Sequence, residues 1–338
     1  MSLVTNRTIH SPLNIFLTTV FCYISCVPDP VFDVQGHRGA RGLLPENTLP
    51  GIELAMEIGV STIELDLGVT KDRQVVVAHD PYINPRLCLN ADGSPIEVDS
   101  GGYGPFIMNL TLKEVQSFDC GSLNPDPARF PEPPRVNLPS TPIPTLQEVF
   151  DLAKKQGRNV RFNLELKIHP LYPVTVPDEK FVTAVLEIIR LNGMEGRVVI
   201  QSFYWPALER VRNLAPSIRT AALLGDDTYK SMNDSTPSPW LNGIDFHKSG
   251  GTSLGLLRAA DAYVDIFSPH WALVVAEDSL FLGSTVKEIQ NTGFEVIPWT
   301  VNDTETMAQL LDLGVDGIIT DYPDRLMALI RERRVRVK

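Results

Sequence analysis

The chain has 338 residues, 43% hydrophobic and 21% charged, which is ordinary globular material for one large α/β domain or two small ones and excludes disorder over most of its length. Its formal net charge of −11 excludes nonspecific nucleic-acid binding, because such binding draws its energy from surplus Lys and Arg on phosphates. An anionic small ligand would therefore need a locally positive site.

At the N-terminus, Arg7 and His10 precede LNIFLTTVFCYISCV, an apolar run of signal-peptide length that is short for a transmembrane span. Residues 1–26 read as a secretory or lipoprotein signal. YISC at 23–26 is a loose lipoprotein box with Cys26 as the residue to be lipidated, and an uncleaved anchor is the alternative. The expectation is an exported protein, periplasmic or extracellular, or held at a membrane through an N-terminal lipid. Cys22 and Cys26 fall in that segment, which leaves Cys88 and Cys120. In an oxidising compartment such a pair is a disulfide candidate, with two buried thiols as the alternative. No Cys-x-x-Cys occurs, so a zinc ribbon is excluded.

From residue 31 the chain alternates strand-length apolar runs with helical patterns. The runs are FDVQG, TIELDLGV, VVVAHD, RFNLEL, RVVIQSF, RTAALL, DIFSPH, EVIPWTV and DGIITDY. Helical periodicity covers 46–58, 145–156, 178–192, 205–214, 253–263, 279–292, 304–313 and 323–333. Such alternation predicts a parallel sheet, and eight units predict a (β/α)8 barrel of the TIM type. Only TKDRQ joins TIELDLGV to VVVAHD, too short for a parallel crossover, so VVVAHD is the return arm of a hairpin. A turn centred on Lys71 and Asp72 would set Glu64 opposite His79. Residues 31–81 thus form the first part of the barrel with its hairpin, and 145–338 the remainder. Between them, 82–144 is rich in Pro, Gly, Asn and Asp and reads as an insertion over the barrel mouth.

Catalytic groups of such barrels sit at the C-terminal ends of strands. His37 and Arg38 end the first strand, Glu64 and Asp66 the second, His79 the hairpin arm, Glu165 and Lys167 the run RFNLELK, and Trp299 the run EVIPWTV. Three converging carboxylates without Cys predict one hard divalent cation, Ca2+ or Mg2+. Interior salt bridges to Arg38 and Lys167 are the alternative. Two histidines beside a metal, with Arg and Lys, suit phosphoryl transfer: imidazoles move protons while cations neutralise the nonbridging oxygens. His270 ends another strand and reads as a packing residue, while His169 and His247 read as surface residues.

The ordered set HRGARGLLPENT, ELDLGVTKDRQVVVAHD, LELK, PWTVND and DGIITDYP resembles the glycerophosphodiester phosphodiesterases over residues 34–333. The resemblance implies His37 and His79 as the acid and base pair, Glu64, Asp66 and Glu165 as metal ligands, and Arg38 and Lys167 as phosphate contacts. It matches Glu46 to the acid of PENT, which holds Arg38 or orders the site while Asn47 and Thr48 begin the helix. Phe203 and Trp299 match aromatic positions at the mouth. The implied reaction is hydrolysis of a glycerophosphodiester to glycerol 3-phosphate and an alcohol. The alternatives are a phospholipase D-like or lysophospholipase D-like enzyme on the same barrel, or an exported phosphodiester-binding protein without turnover.

Overall fold

The computed structural model describes residues 31–338 except 126, 131–133, 230–236 and 276–282. The signal expected at 1–26, with Cys22 and Cys26, lies outside the described residues, as does the first part of the helix expected at 279–292.

Among the described residues nine strands form one sheet: β1 Asp33–Gly36, β2 Thr62–Val69, β3 Val75–Val77, β4 Arg161–Leu166, β5 Val198–Ser202, β6 Arg219–Leu224, β7 Ile266–Pro269, β8 Glu295–Val296 and β9 Gly317–Thr320. Eight of them run parallel in the order β8-β7-β6-β5-β4-β2-β1-β9, and β3 pairs antiparallel with β2. This is the eight-stranded barrel expected from the alternation, with VVVAHD as the hairpin arm. The last seam, β8 to β9, is not a regular ladder, because Pro298 follows β8 and has no N–H to give. Single backbone bonds close it instead, from Ile319 N to the Pro298 carbonyl at 3.0 Å and from Asp316 N to the Val296 carbonyl at 2.9 Å.

The helices fall where the periodicity places them, among them Leu49–Ile58, Leu146–Lys155, Asp178–Asn192, Trp205–Leu214, Thr304–Asp312 and Pro323–Arg333. Several begin on a side-chain cap. Thr145 accepts from Glu148 N while the Glu148 carboxylate returns to Thr145, a reciprocal pair that satisfies two otherwise orphaned donors. The apolar faces of these helices bury Ile52, Phe150, Phe181 and Trp205 against the outward faces of the strands, such as Ile63, Leu65 and Phe162.

The hairpin register differs from expectation by one residue. Leu67 pairs with Val77 and Val69 with Val75, so Ala78, not Val77, aligns with Asp66, and its N donates to the Asp66 carbonyl at 2.9 Å. The cause is a three-residue loop, Lys71 to Arg73, with Arg73 at φ 64°, closed by Thr70 and Gln74. His79 therefore stands just past the strand end rather than across from Glu64.

The insertion, 82–144, has little regular structure beyond the single turns Ile107–Asn109 and Leu112–Val115, yet it packs its own small core. Ile83, Cys88, Ile96, Ile107, Val115, Cys120 and Ile143 are buried together with Val76 and Ala78 of the hairpin arm. A disulfide joins Cys88 to Cys120. The bridge closes a loop of sequence separation 32, and such a loop stabilises by about 3 to 4 kcal/mol in the chain-entropy model. Reduction, or Cys88→Ala with Cys120→Ala, should lower the denaturation midpoint accordingly. Two thiols alkylatable in the native protein, found by mass spectrometry, would contradict the bridge.

Candidate active site

Glu64 and Asp66 lie two apart on β2 and share its interior face, and the β2–β4 register sets Asp66 opposite Glu165. One oxygen from each of Glu64, Asp66 and Glu165 lies within 4.8 Å of the others, and all three residues are buried. Burial raises the Glu64 carboxyl, and the charges of Asp66 and Glu165 push it further, well above the usual carboxylate range. Glu165 is also raised, by burial first, with Lys167 pulling the other way. At Asp66 burial is outweighed by Arg38, helped by His79 and Lys167, and the group stays well below its ordinary value.

Asp66 Oδ1 is buried and accepts no hydrogen bond among the described residues. Lys167 Nζ stands 3.7 Å from it. An unsatisfied buried lone pair within a cluster of three carboxyl groups is what a hard cation would relieve. The all-oxygen donor set fits Ca2+ or Mg2+, so the triad could hold such an ion.

The loop after β1 places the cations. Gly39 sits at φ 87° and Arg38 itself at 51°, the left-handed region that side chains other than glycine rarely adopt. A Cβ on Gly36 would lie 2.2 Å from the Gly39 carbonyl oxygen, so this tight turn admits only glycine there. The turn aims Arg38 N at Glu64 Oε2, 3.0 Å away, and the guanidinium at Glu46 Oε1 (2.6 Å) and Asp66 Oδ2 (3.0 Å). Glu46 Oε2 accepts from Arg41 Nε at 2.7 Å. Despite burial, these two arginines hold Glu46 down at about 2. Arg41 is thus a paired, largely buried residue and not a solvated one. Asn47 does not begin the helix: at φ 56° it donates from Nδ2 to Asp66 Oδ2 at 2.9 Å, and Thr48 alone caps Leu49–Ile58.

His37 is bonded through Nδ1 to Asp321 Oδ1 at 2.6 Å, while Nε2 faces Glu64 Oε2 at 3.9 Å. Burial lowers the imidazole to about 4, against the pull of Asp321. Burial alone would raise Asp321, yet His37, Arg41 and a 2.7 Å hydrogen bond from Asn302 Nδ2 keep it well below the carboxylate range. An ionised Asp321 only accepts, so His37 donates Nδ1–H and keeps a lone pair on Nε2. His79 is half-buried, with Nδ1 3.1 Å from Asp80 Oδ1, and Asp80 is held in turn by Asn84 at 2.7 Å.

These groups open on one cavity of about 360 Å³, lined by His37, Arg38, Glu46, Glu64, His79, Glu165 and Lys167. Phe203 and Trp299 form its apolar side, edge to face with centroids 5.3 Å apart, and Lys167 Nζ stands 5.9 Å from the Phe203 centroid. Lys167 also pairs with Glu165 at 2.8 Å. All the residues expected from the strand ends therefore meet, with Asp66 just behind the wall. His270 packs against Trp299 at 5.2 Å, and His169 lies against Trp240 at 5.0 Å.

Sequence reasoning missed Asp321, Asn302 and Gln201. Gln201 Nε2 donates to Glu64 Oε1 at 2.7 Å, and Asn163 donates to the Gln201 amide oxygen at 2.8 Å. Asp321 ends the last strand run and Gln201 lies near the end of RVVIQSF, so the strand-end rule that picked His37 would have found both.

A match to the glycerophosphoryl diester phosphodiesterase family spans residues 37–325. The chain belongs to this family of hydrolases. It is 30% identical to the glycerophosphodiester phosphodiesterase of Caldanaerobacter subterraneus over 300 residues, 88% of this chain and 98% of that protein. A crystal structure from Silicibacter pomeroyi DSS-3 superposes with a TM-score of 0.76 at 28% identity, covering 91% of this chain and 96% of that one. The phosphodiesterase OLEI02445 of Oleispira antarctica shares the fold, with a TM-score of 0.62 and 23% identity over 89% and 97% of the two chains.

Two outcomes follow from the charges behind the cavity. Asp321→Asn should leave the melting temperature within a few degrees but cut kcat by about two to four orders of magnitude, since His37 loses its tautomer and its orientation. Glu46 has a folded value of about 2, below the ordinary carboxylate value of about 4.3. Its stabilisation is therefore complete above about pH 4.3 and is lost as pH falls toward 2. In melts between pH 5 and 2.5, Glu46→Gln should be less stable than the wild type at pH 5 and should lose less on acidification.

Proposed function

We propose that the chain hydrolyses glycerophosphodiesters to glycerol 3-phosphate and an alcohol, with a divalent cation on Glu64, Asp66 and Glu165 and with His37 and His79 as the proton-transfer pair. The observation that carries this reading is the meeting of both histidines with the acidic triad in one cavity. The product sn-glycerol-3-phosphate bound in the Oleispira antarctica enzyme supports the choice of product.

When bound, the cation supplies Lewis-acid neutralisation of a phosphoryl oxygen. This chain's own groups do the rest. Arg38 and Lys167 are held in place by Glu46, Asp66 and Glu165, ready to neutralise the nonbridging oxygens with little reorganisation. His37 keeps its free lone pair on Nε2 and takes the proton of the attacking hydroxyl, and Asp321 stabilises the imidazolium that forms. His79, oriented by Asp80, gives a proton to the departing alkoxide. Phe203 and Trp299 cover the carbon skeleton and keep water from one side.

We further read the chain as exported, and the Cys88–Cys120 bridge supports an oxidising compartment.

Turnover of glycerophosphocholine followed by phosphorus NMR, with and without EDTA, tests the proposal. Chelation should abolish turnover and lower the melting temperature together, since an ion bound only by the native state stabilises it by mass action. Full activity after exhaustive chelation would remove the metal from the mechanism. His37→Ala and His79→Ala should each cut kcat by about two to four orders of magnitude. The double variant should lose much less than the sum of the two in free energy. A p-nitrophenyl ester, whose leaving group needs no proton, should rescue His79→Ala and not His37→Ala. Rescue of the other variant would reverse the two roles.

A further inference from the structure

Five cationic side chains line the catalytic cavity: Arg38, Arg41, Arg86, Arg129 and Lys167. Four of them face a carboxylate within ion-pair distance. Arg38 meets Glu46 and Asp66, Arg41 meets Glu46, Arg129 stands 3.8 Å from Asp321, and Lys167 meets Glu165. Arg86 has no such partner among the described residues. Its guanidinium makes one hydrogen bond among them, from Nη2 to the Pro125 carbonyl oxygen at 3.0 Å, across the two arms of the insertion that the Cys88–Cys120 bridge ties together. The bond fixes the guanidinium at the rim without neutralising it. Arg86 is exposed, so in a chain of net charge −11 its charge stays open, at the mouth of the cavity, to an anion entering from outside.

Position tells which part of a substrate meets it. His79 stands at the root of the insertion, and the cavity-lining residues Asp80 and Asn84 that follow it lead directly to Arg86. His37 follows β1 and stands against Asp321, which follows β9. If His79 protonates the leaving oxygen, the alcohol departs along the Asn84–Arg86–Leu87 side. Asp80, the one carboxylate on that stretch, has its oxygens taken by His79 and Asn84.

We propose that Arg86 forms a distal anion site for the leaving alcohol, and that the preferred substrates are glycerophosphodiesters whose alcohol carries a second anionic group, a phosphate or a carboxylate. This rests on the hydrolytic reading above with His79 as the acid. The planar guanidinium suits bidentate contact with either oxyanion.

The test compares kcat/KM for three diesters: glycerophosphocholine, glycerophosphoglycerol bearing a terminal phosphate, and glycerophospho-N-acetylserine bearing a carboxylate. The wild type should prefer the anionic pair, with a preference that shrinks as salt rises. Arg86→Gln should lower the ratio of anionic to choline substrate by about tenfold or more, chiefly through KM, the loss expected for a charged hydrogen bond. Arg86→Lys should restore most of the ratio, because charge rather than bracing of Pro125 is what matters. The stronger of the two anionic substrates identifies phosphate or carboxylate as the group read. Equal losses on all three substrates in Arg86→Gln would make the residue a structural brace and overturn the site. A ratio unchanged within about twofold would overturn it too, and glycerophosphocholine turnover by the wild type would leave the hydrolytic reading standing. A wild type that turns over none of the three overturns both.

Discussion

Three carboxylates crowded inside a barrel are the constraint to which the upper half of this molecule answers. Glu64, Asp66 and Glu165 bring their oxygens within 4.8 Å of one another in a buried position, where like charges repel with little screening. The surrounding polar groups offset that repulsion in part. Arg38 and Asn47 hold one Asp66 oxygen, Gln201 and the Arg38 N–H hold the two Glu64 oxygens, and Lys167 holds Glu165. The offset is incomplete, since Glu64 and Glu165 remain raised and Asp66 Oδ1 lacks a donor among the described residues. Three carboxylates left with an unsatisfied oxygen could hold one hard cation.

The compensation is arranged so that it leaves the cavity usable. Arg38 reaches the triad only because the chain after β1 turns through two consecutive left-handed residues, Arg38 and Gly39. Strain of this kind survives where the surroundings over-determine it. Here the determinants are the bond from His37 N to the Thr320 carbonyl, that from Gly42 N to the Asp321 carbonyl, and the double clamp of Glu46 on both arginines. One loop thereby ties β1 to β9 and brings His37 to Glu64 and Arg38 to both Glu64 and Asp66.

Much of this was legible in the sequence because the barrel places chemistry by a rule. Strand ends marked His37, Glu64, Asp66, Glu165 and Trp299, and the short TKDRQ link marked the antiparallel arm. The rest escaped for identifiable reasons. The hairpin register depended on Arg73 adopting a left-handed conformation, which nothing in its side chain announces. Asn47 looked like a helix start because Asn favours caps, and only the fold shows that tertiary demand from Asp66 outweighs that preference. Asp321 lies 284 residues from His37, so their pairing is a property of barrel closure and not of any local pattern.

The two ends of the barrel use the same residue types to opposite effect. At the lower end Asp33 accepts from Ser61, Thr62 and Arg161, and Glu295 pairs with Arg219 and Lys338. Burial would raise Glu295, but its two cations hold it below the ordinary value. At the upper end a comparable carboxylate, Glu165, has Lys167 beside it and is raised all the same, because it is more deeply buried and Asp66 lies opposite on the neighbouring strand. Acidic residues whose charge is fully answered lock strands together, as at Asp33 and Glu295. Those whose charge is answered only in part keep free energy available for a ligand, and it is this difference in pairing, more than the residues themselves, that separates the structural end of the barrel from the chemical one.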